Sequence, residues 1–409
     1  MAEQNKSHLS ILFLTVFLYL VGFGVMIPVL PVLSRAYGAS PLQVGLLMSV
    51  YSFMQFVFSP FWGRRSDRLG RRPILLLCLC GEAASYLLFI FSRSMEMLFV
   101  ARALAGFFGA SLSTASAAIS DVTSAQERSK GMALIGAAFG LGFVVGPALG
   151  GGLAWWGQKL HPEDILFGMR FAAGCVALIC MGTFVFAYFK LKETKADHAV
   201  SEIKEGRFAR LGRYLRRPVA GPLIGSFFLN SLAMSTMEAT LILFVGDRFG
   251  WGLREVSFGF AYIGILSAFN QGFLVRKLLP KVGERKIMRL GITLMVLSYV
   301  LIAASSQLWI LVIAMTLFSF GNSFTNPSLM GAISLVCGKE EQGEALGSTQ
   351  GTAALGRILG PAMGGLLYGS VSILAPFIGS ALIAVISLFV ILKLGEKVPD
   401  SAKTAAIGA

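Results

Sequence analysis

GLGFVVGPALGG, residues 140–151, returns as LGRILGPAMGG, residues 355–365, and the two align Gly146-Pro147 with Gly360-Pro361 at an offset of 214. A second pair, RLGRRP (Arg68–Pro73) and KVGERK (Lys281–Lys286), repeats at an offset of 213. Two unrelated motifs displaced by almost the same distance indicate a duplicated unit rather than a chance likeness between glycine-rich segments. Both glycine strings lie in unbroken apolar stretches of about 20 residues, the length a helix needs to cross a bilayer. Working outward, the pattern predicts twelve such helices, near 10–34, 43–62, 73–92, 97–120, 131–156, 166–190, 220–245, 255–278, 287–305, 308–336, 343–369 and 372–392. The expected fold is an all-α membrane protein of twelve transmembrane helices, arranged as two pseudo-symmetric six-helix bundles.

Composition agrees. The chain has 409 residues, 55% hydrophobic and 14% charged, with a mean hydropathy of +0.73. That leaves too few polar side chains to cover a soluble domain, whereas lipid solvates an apolar exterior. Backbone groups in a bilayer must be satisfied within helices or closed barrels. The continuous apolar runs exclude the alternating short strands of a barrel.

The net charge of +14 points to topology, not to nucleic acid. With both ends on one side, 27 of the 35 Lys and Arg residues fall on that side. Arg35, Arg93, Lys159, Arg248 and Arg254 fall opposite, and Arg102, Arg170 and Arg357 fall within helices. The positive-inside rule then puts both termini in the cytoplasm. No cleavable signal is expected, because the apolar run from Ser10 is too long for one. The polar stretch Lys190–Pro218 carries nine Lys or Arg residues. It divides the chain into an N-terminal bundle (1–192), a cytoplasmic linker (193–218), a C-terminal bundle (219–395) and a cytoplasmic tail (396–409). The cysteines Cys78, Cys80, Cys175, Cys180 and Cys337 read as small apolar residues. His8, His161 and His198 lie in loops or at an end. Neither a metal set nor a nucleophile–base pair is visible, so no enzyme and no cofactor is expected.

GRRSDRLGRRP (Gly63–Pro73) joins the second and third predicted helices. Gly63 and Gly70 permit a tight turn, and Asp67 is placed to accept from an arginine or to cap a helix. The fifth predicted helix carries Gly142, Gly146, Pro147, Gly150 and Gly151, a spacing that brings helices close together. MIPVLP (Met26–Pro31), RALAGFFGA (Arg102–Ala110), ISDVTSAQERSKG (Ile119–Gly131) and RFGW (Arg248–Trp251) complete the set. Together these motifs resemble the major facilitator superfamily over nearly the whole chain, in its drug/proton antiporter branch and most closely the tetracycline-efflux group. The resemblance implies a major facilitator fold. It also implies a charge latch of Gly63, Asp67, Arg68, Gly70, Arg71, Arg72 and Asp121 that holds the outward-facing state, and an antiporter motif in the fifth helix. The chain departs from that group where it carries an aspartate in helix one (here an apolar run around Tyr19), a histidine in helix eight (Ser267) and an aspartate in helix nine (near Met295). Tetracycline itself is therefore not implied. No GxxxxGK[ST] string occurs, which argues against ATP as the energy source.

Ionisable residues deep in spanning helices are costly and so mark function. Arg102, Glu238, Arg357 and Glu82 are the candidates for proton coupling. Glu238 is the expected principal site, tuned by Arg357, although a purely structural Glu238–Arg357 ion pair fits the same residues. Glu82 ranks second, because the third helix is peripheral in the resembled fold. Gln55, Asn230, Asn270, Gln271, Asn322 and Asn326 are candidate substrate contacts among many apolar side chains, though asparagines also join helices to one another. The expected function is proton-coupled antiport that exports small amphipathic or hydrophobic organic molecules by rocking of the two halves, in a bacterial inner membrane, with substrate, protons and lipid as partners of a monomer. The alternatives are a symporter importing a metabolite, and a non-transporting sensor or lipid-handling protein on the same scaffold.

Overall fold

The computed structural model describes residues 2–123, 128–194, 207–338 and 341–398. Part of ISDVTSAQERSKG (124–127), much of the expected linker (195–206) and most of the expected tail (399–409) lie outside the described residues. The described residues are mostly helical, and among them there is no strand. Helices α1 (Ala2–Ala36), α2 (Pro41–Leu69), α3 (Arg71–Ile90), α4 (Met95–Gly109), α5 (Leu112–Val122), α6 (Arg128–Leu160) and α7 (Ile165–Lys190) come first. A short α8 (Arg207–Leu215) precedes α9 (Ala220–Phe249) and α10 (Leu253–Phe269), which runs through a π-helical turn (Asn270–Val275) into α11 (Arg276–Val282). The series ends with α12 (Glu284–Ala304), α13 (Leu308–Val336), α14 (Gln342–Ser370) and α15 (Ala375–Leu394). Since α4 continues into α5, and α10 into α11, these helices form twelve spans. Ten are long and apolar enough to cross a membrane by length and hydropathy alone, and the glycine-rich α6 and α14 are the other two.

Two compact units result, Met1–Glu202 with Gly250–Ala261, and Ile203–Phe249 with Tyr262–Ala409. The repeat seen in the sequence reappears in each as geometry. Gly70 and Gly283 are both left-handed, with φ of +102° and +85°, and each ends one helix and begins the next. Only glycine adopts that conformation without strain, which explains why the turn survives in both halves.

The fifth span of each unit packs closely on its first. In the first unit, a Cβ added at Gly146 would lie 2.6 Å from Gly24 Cα, and one at Gly150 would lie 2.2 Å from the Val25 carbonyl oxygen. In the second, a Cβ at Gly360 would lie 2.7 Å from Ser235 Cβ, and one at Gly364 would lie 2.7 Å from the Thr236 carbonyl oxygen. Both pairs of positions are 214 apart, the offset of the glycine strings. Small residues at every fourth position thus let two backbones touch.

Two predicted helices differ from expectation. The fourth is not continuous from 97 to 120 but breaks at Ala110-Ser111. There the Gly109 carbonyl accepts from the Tyr19 hydroxyl (2.9 Å) and from Gln55 Nε2 (3.1 Å). Side chains from α1 and α2 thus hold the chain where the helix is interrupted. The eighth reaches Val282 and contains the π-helical turn, an irregularity frequent at functional positions.

In the second unit, α8 is tied to the loop before α14. Arg217 grips Glu341 with two bonds of 2.7 and 3.0 Å, and Arg213 reaches Glu344 at 2.6 Å. Arg217 also lies 4.8 Å above the buried Tyr214 ring. Arg217 holds the Glu341 carboxyl below its ordinary range, and burial pushes the Tyr214 hydroxyl up to about 12. A depressed carboxyl contributes stability above its unfolded value of about 4.3 and loses it as pH falls through the folded value. Limited proteolysis around α8 should therefore be unchanged from pH 8 to 5 and increase only in stronger acid. Arg217→Gln should make it fast already at neutral pH.

Candidate functional site

The α2–α3 turn gathers most of the latch around Arg71. Its Nη1 donates to Asp67 and to Ser66 Oγ (2.7 Å), and its Nε to Asp121 Oδ2 at 2.9 Å. One guanidinium, largely shielded from solvent, thereby joins α2, α3 and the end of α5. Charge-assisted bonds of this kind are stronger than neutral ones. Gly70 forms the turn, whereas Gly63 lies inside α2 and takes no part in it, because the helix runs on to Leu69; a Cβ built at Gly63 would lie 3.8 Å from Ser113 Oγ. Arg72 turns away, donating Nη2 to the Tyr188 carbonyl (2.7 Å). Arg68 follows Asp67 in the last turn of α2. Asp121→Asn leaves Arg71 one carboxylate short. Losing a partner of this kind costs about 1–3 kcal/mol, a shift of roughly fivefold to a hundredfold in a two-state equilibrium. Cysteine-accessibility labelling on the two sides of the membrane should report that shift.

Glu193, which the sequence reading left unassigned, completes the corner. Its Oε1 accepts from the Arg71 amide (2.8 Å) and its Oε2 from the Arg72 amide (3.1 Å). These are orphan N–H groups at the start of α3, where a carboxylate also meets the positive end of the helix dipole. An acidic residue just beyond a basic helix end was the available signal, but its distant partner is set by tertiary packing.

Within the first unit, α3 and α4 bury two charges together. Glu82 and Arg102 are each 1% exposed. On α3, which packs against α4 and α7, Glu82 faces inward. The Glu82 carboxylate accepts from Tyr86 Oη at 3.4 Å. The Arg102 guanidinium lies 4.4 Å from the Tyr51 ring centroid and 5.3 Å from that of Phe23, with Nε and Nη1 lacking a hydrogen-bond partner among the described residues. Glu82 and Arg102 both lie in the part of the first unit where α3 packs on α4. Tyr19 bonds to Tyr51 and accepts from Gln55 Nε2 at 3.2 Å. Five helices (α1 to α4, and α7 through Cys180) thus surround one polar island.

The second unit holds the other pair. Glu238 on α9 is half-buried and lies within electrostatic reach of Arg357 on α14. Tyr299 on α12, fully buried, also feels Glu238. Tyr86 and Tyr299 stand 213 apart, and Ser92 and Ser305 repeat the offset with matching bonds of 2.7 Å to the carbonyls of Phe89 and Ile302. Ser-Tyr at 85–86 and 298–299 was a legible third echo of the repeat.

The six amides divide. Asn230 is buried and donates to the Ser226 carbonyl (2.8 Å) and to Ser387 Oγ (2.9 Å), joining α9 to α15. Asn270 is buried against Ser319 on α13 at 3.4 Å, beside the Ser267–Ser319 bond of 2.8 Å. Asn326 donates to Asn322 at 2.9 Å. Gln55 belongs to the tyrosine cluster, and Gln271 is exposed. The structure therefore engages Asn230 and Asn270 between helices, and leaves Gln271, Asn322 and Asn326 partly open. On α6, Gly142 meets Leu20 and Gly151 meets Ser257, while Pro147 lies 3.1 Å from a Cβ built at Gly24.

The model of the Major Facilitator Superfamily matches residues 12–281 and 272–409. The chain belongs to that superfamily. It is 32% identical over 363 residues to a class E tetracycline resistance protein of Escherichia coli, covering 87% of this chain and 86% of the relative. Against Multidrug resistance protein 2 of Bacillus subtilis it is 28% identical over 403 residues, 98% of each. Among solved structures, the human organic anion transporter MFSD10 (TETRAN) superposes with a TM-score of 0.69 at 26% identity, covering 95% of this chain and 99% of that one. This superfamily member is accordingly a multi-pass membrane transporter and not an enzyme.

Proposed function

We propose that this transporter is a proton-coupled antiporter that exports small amphipathic or hydrophobic organic compounds by alternating access. In this reading it resides in the bacterial inner membrane with both termini in the cytoplasm and works as a monomer on substrate and protons. The observation that carries the reading is the full burial of two ionisable side chains, Glu82 and Arg102, in the first unit, in a chain similar along its length to tetracycline and multidrug resistance proteins. A buried carboxylate that loses or gains a proton changes the balance of charge on its surroundings at a cost of several kcal/mol. That is the kind of energy that biases one conformation against another.

Glu238 is the second proposed proton carrier, tuned by Arg357, and the two carboxylates divide the task between the two bundles (1–192 and 219–395, joined by 193–218). Asp67, Arg71 and Asp121 form the latch with Gly63, Arg68, Gly70 and Arg72. The α6 glycines give a close helix seam, and Gln55, Gln271, Asn322 and Asn326 offer polar contacts to cargo. Asn230 and Asn270 contribute by holding α9 and α10 in place.

Dye efflux from cells and proteoliposomes tests the reading. Efflux should collapse with a protonophore, and a growth-inhibition panel should show Glu238→Gln more sensitive than wild type. Counterflow in the uptake direction would favour metabolite symport. Full function with Asp67, Arg102 and Glu238 all replaced would favour a non-transporting role.

A further inference from the structure

We propose that the recess between the start of α3 and the end of α7 binds the headgroup of an anionic phospholipid. The inference does not depend on the cargo or on proton coupling. A cavity of about 490 Å³ opens there, lined among others by Arg72, Leu76, Tyr188, Phe189, Lys192 and Glu193. That volume lies within the range of small-molecule sites.

Charge decides the class of ligand. Arg72 is held in place by its bond to the Tyr188 carbonyl and by stacking 5.4 Å from the Tyr188 ring, while its buried Nε has no hydrogen-bond partner among the described residues. Lys192 is exposed, as is Lys190 one turn end away. The acidic residue of the lining is already engaged. Glu193 accepts from the amides of Arg71, Arg72 and Thr194, so its carboxylate oxygens are taken up at the start of α3. What remains facing the recess is cationic.

Position decides between a lipid and a dissolved anion. The spans Arg71–Ile90 and Leu166–Lys190 both end at this level, so the recess sits where the helices leave the hydrocarbon. Tyr188 and Phe189 are 51% and 76% exposed. Aromatic side chains with that exposure suit the boundary between acyl chains and headgroups. Basic recesses between spanning helices on the cytoplasmic side are suited to anionic headgroups. In this arrangement the phosphate lies between Arg72 and Lys192, and an acyl chain runs along Leu76 and Phe189. Because Arg72 neighbours Arg71, an occupied recess would stiffen the α2–α3 turn.

Native mass spectrometry of the full-length protein tests this with phosphatidylglycerol, phosphatidylcholine and phosphatidylethanolamine of equal chain length, and with inorganic phosphate as competitor. Phosphatidylglycerol should be retained most tightly and should resist millimolar phosphate. Lys192→Gln should weaken it about fivefold, the effect of one interfacial charge, without changing phosphatidylcholine. Phe189→Ala should weaken all three lipids. Both residues are exposed, so the variants should melt like wild type in the absence of added lipid. Equal retention of phosphatidylglycerol and phosphatidylcholine, an unaltered affinity in Lys192→Gln, or full displacement by inorganic phosphate would each overturn the assignment.

Discussion

Gly150→Val should abolish transport and destabilise the protein by about 1–3 kcal/mol or more, the cost of overpacking a filled interior, whereas Gly152→Ala should leave transport intact and stability unchanged or slightly raised. The contrast comes from what a side chain would meet. At Gly150 a Cβ would lie 2.2 Å from the Val25 carbonyl oxygen and 2.8 Å from Val25 Cα, both backbone atoms that no rotamer change can move aside. At Gly152, two residues further along the same helix, nothing lies within 4 Å. Helix propensity alone predicts a gain at both positions, since alanine and most residues favour a helix over glycine. Only contact between α1 and α6 reverses the sign. The same reasoning applies to Gly364→Val against the Thr236 carbonyl at 2.7 Å. Thermal melting separates loss of folding from loss of motion, and dye efflux reads the latter. A Gly150→Val protein that transports at the wild-type rate would show that the seam is not closed to this degree.

The second large effect is expected at Glu82. Glu82→Gln keeps the shape of the side chain and removes its titratable proton, so it should fold and still bind cargo while protonophore-sensitive efflux falls by roughly a hundredfold or more, the range over which positioned proton transfer contributes. The buried neighbours make this a strong test. With Glu82 replaced by the amide, the buried Arg102 stays beside the Tyr51 and Phe23 rings with Nε and Nη1 lacking a partner among the described residues. Substitutions of Glu82 and Arg102 should therefore be non-additive, as expected for residues in one network. Measuring Glu238→Gln in parallel assigns the proton. Retained proton drive in Glu82→Gln, lost only in Glu238→Gln, would place the coupling carboxylate in the second unit.

Much of this architecture is readable from composition and spacing. Apolar run length sets the number of spans, because a bilayer core of about 30 Å demands about 20 residues. The offsets of 213 and 214 identify the duplicated unit, because positive-φ turns and helix seams tolerate little besides glycine. Pair partners are another matter. Nothing local indicates that Glu193 meets the amides of Arg71 and Arg72, more than 120 residues away, or that the Gly109 carbonyl is held by Tyr19 and Gln55. Glu82 shows the limit most clearly. Its depth along α3 was evident, but its direction around the helix depended on α4 and α7.

The chain alone thus determined that it spans a bilayer, how often, and that its halves share an ancestor in form, since hydropathy, loop charge and glycine spacing are local quantities acting along one helix at a time. Tertiary structure decided which charges are sealed and which amides are engaged. Burial and hydrogen bonding are properties of neighbouring helices, and their registry follows from packing rather than from any single segment.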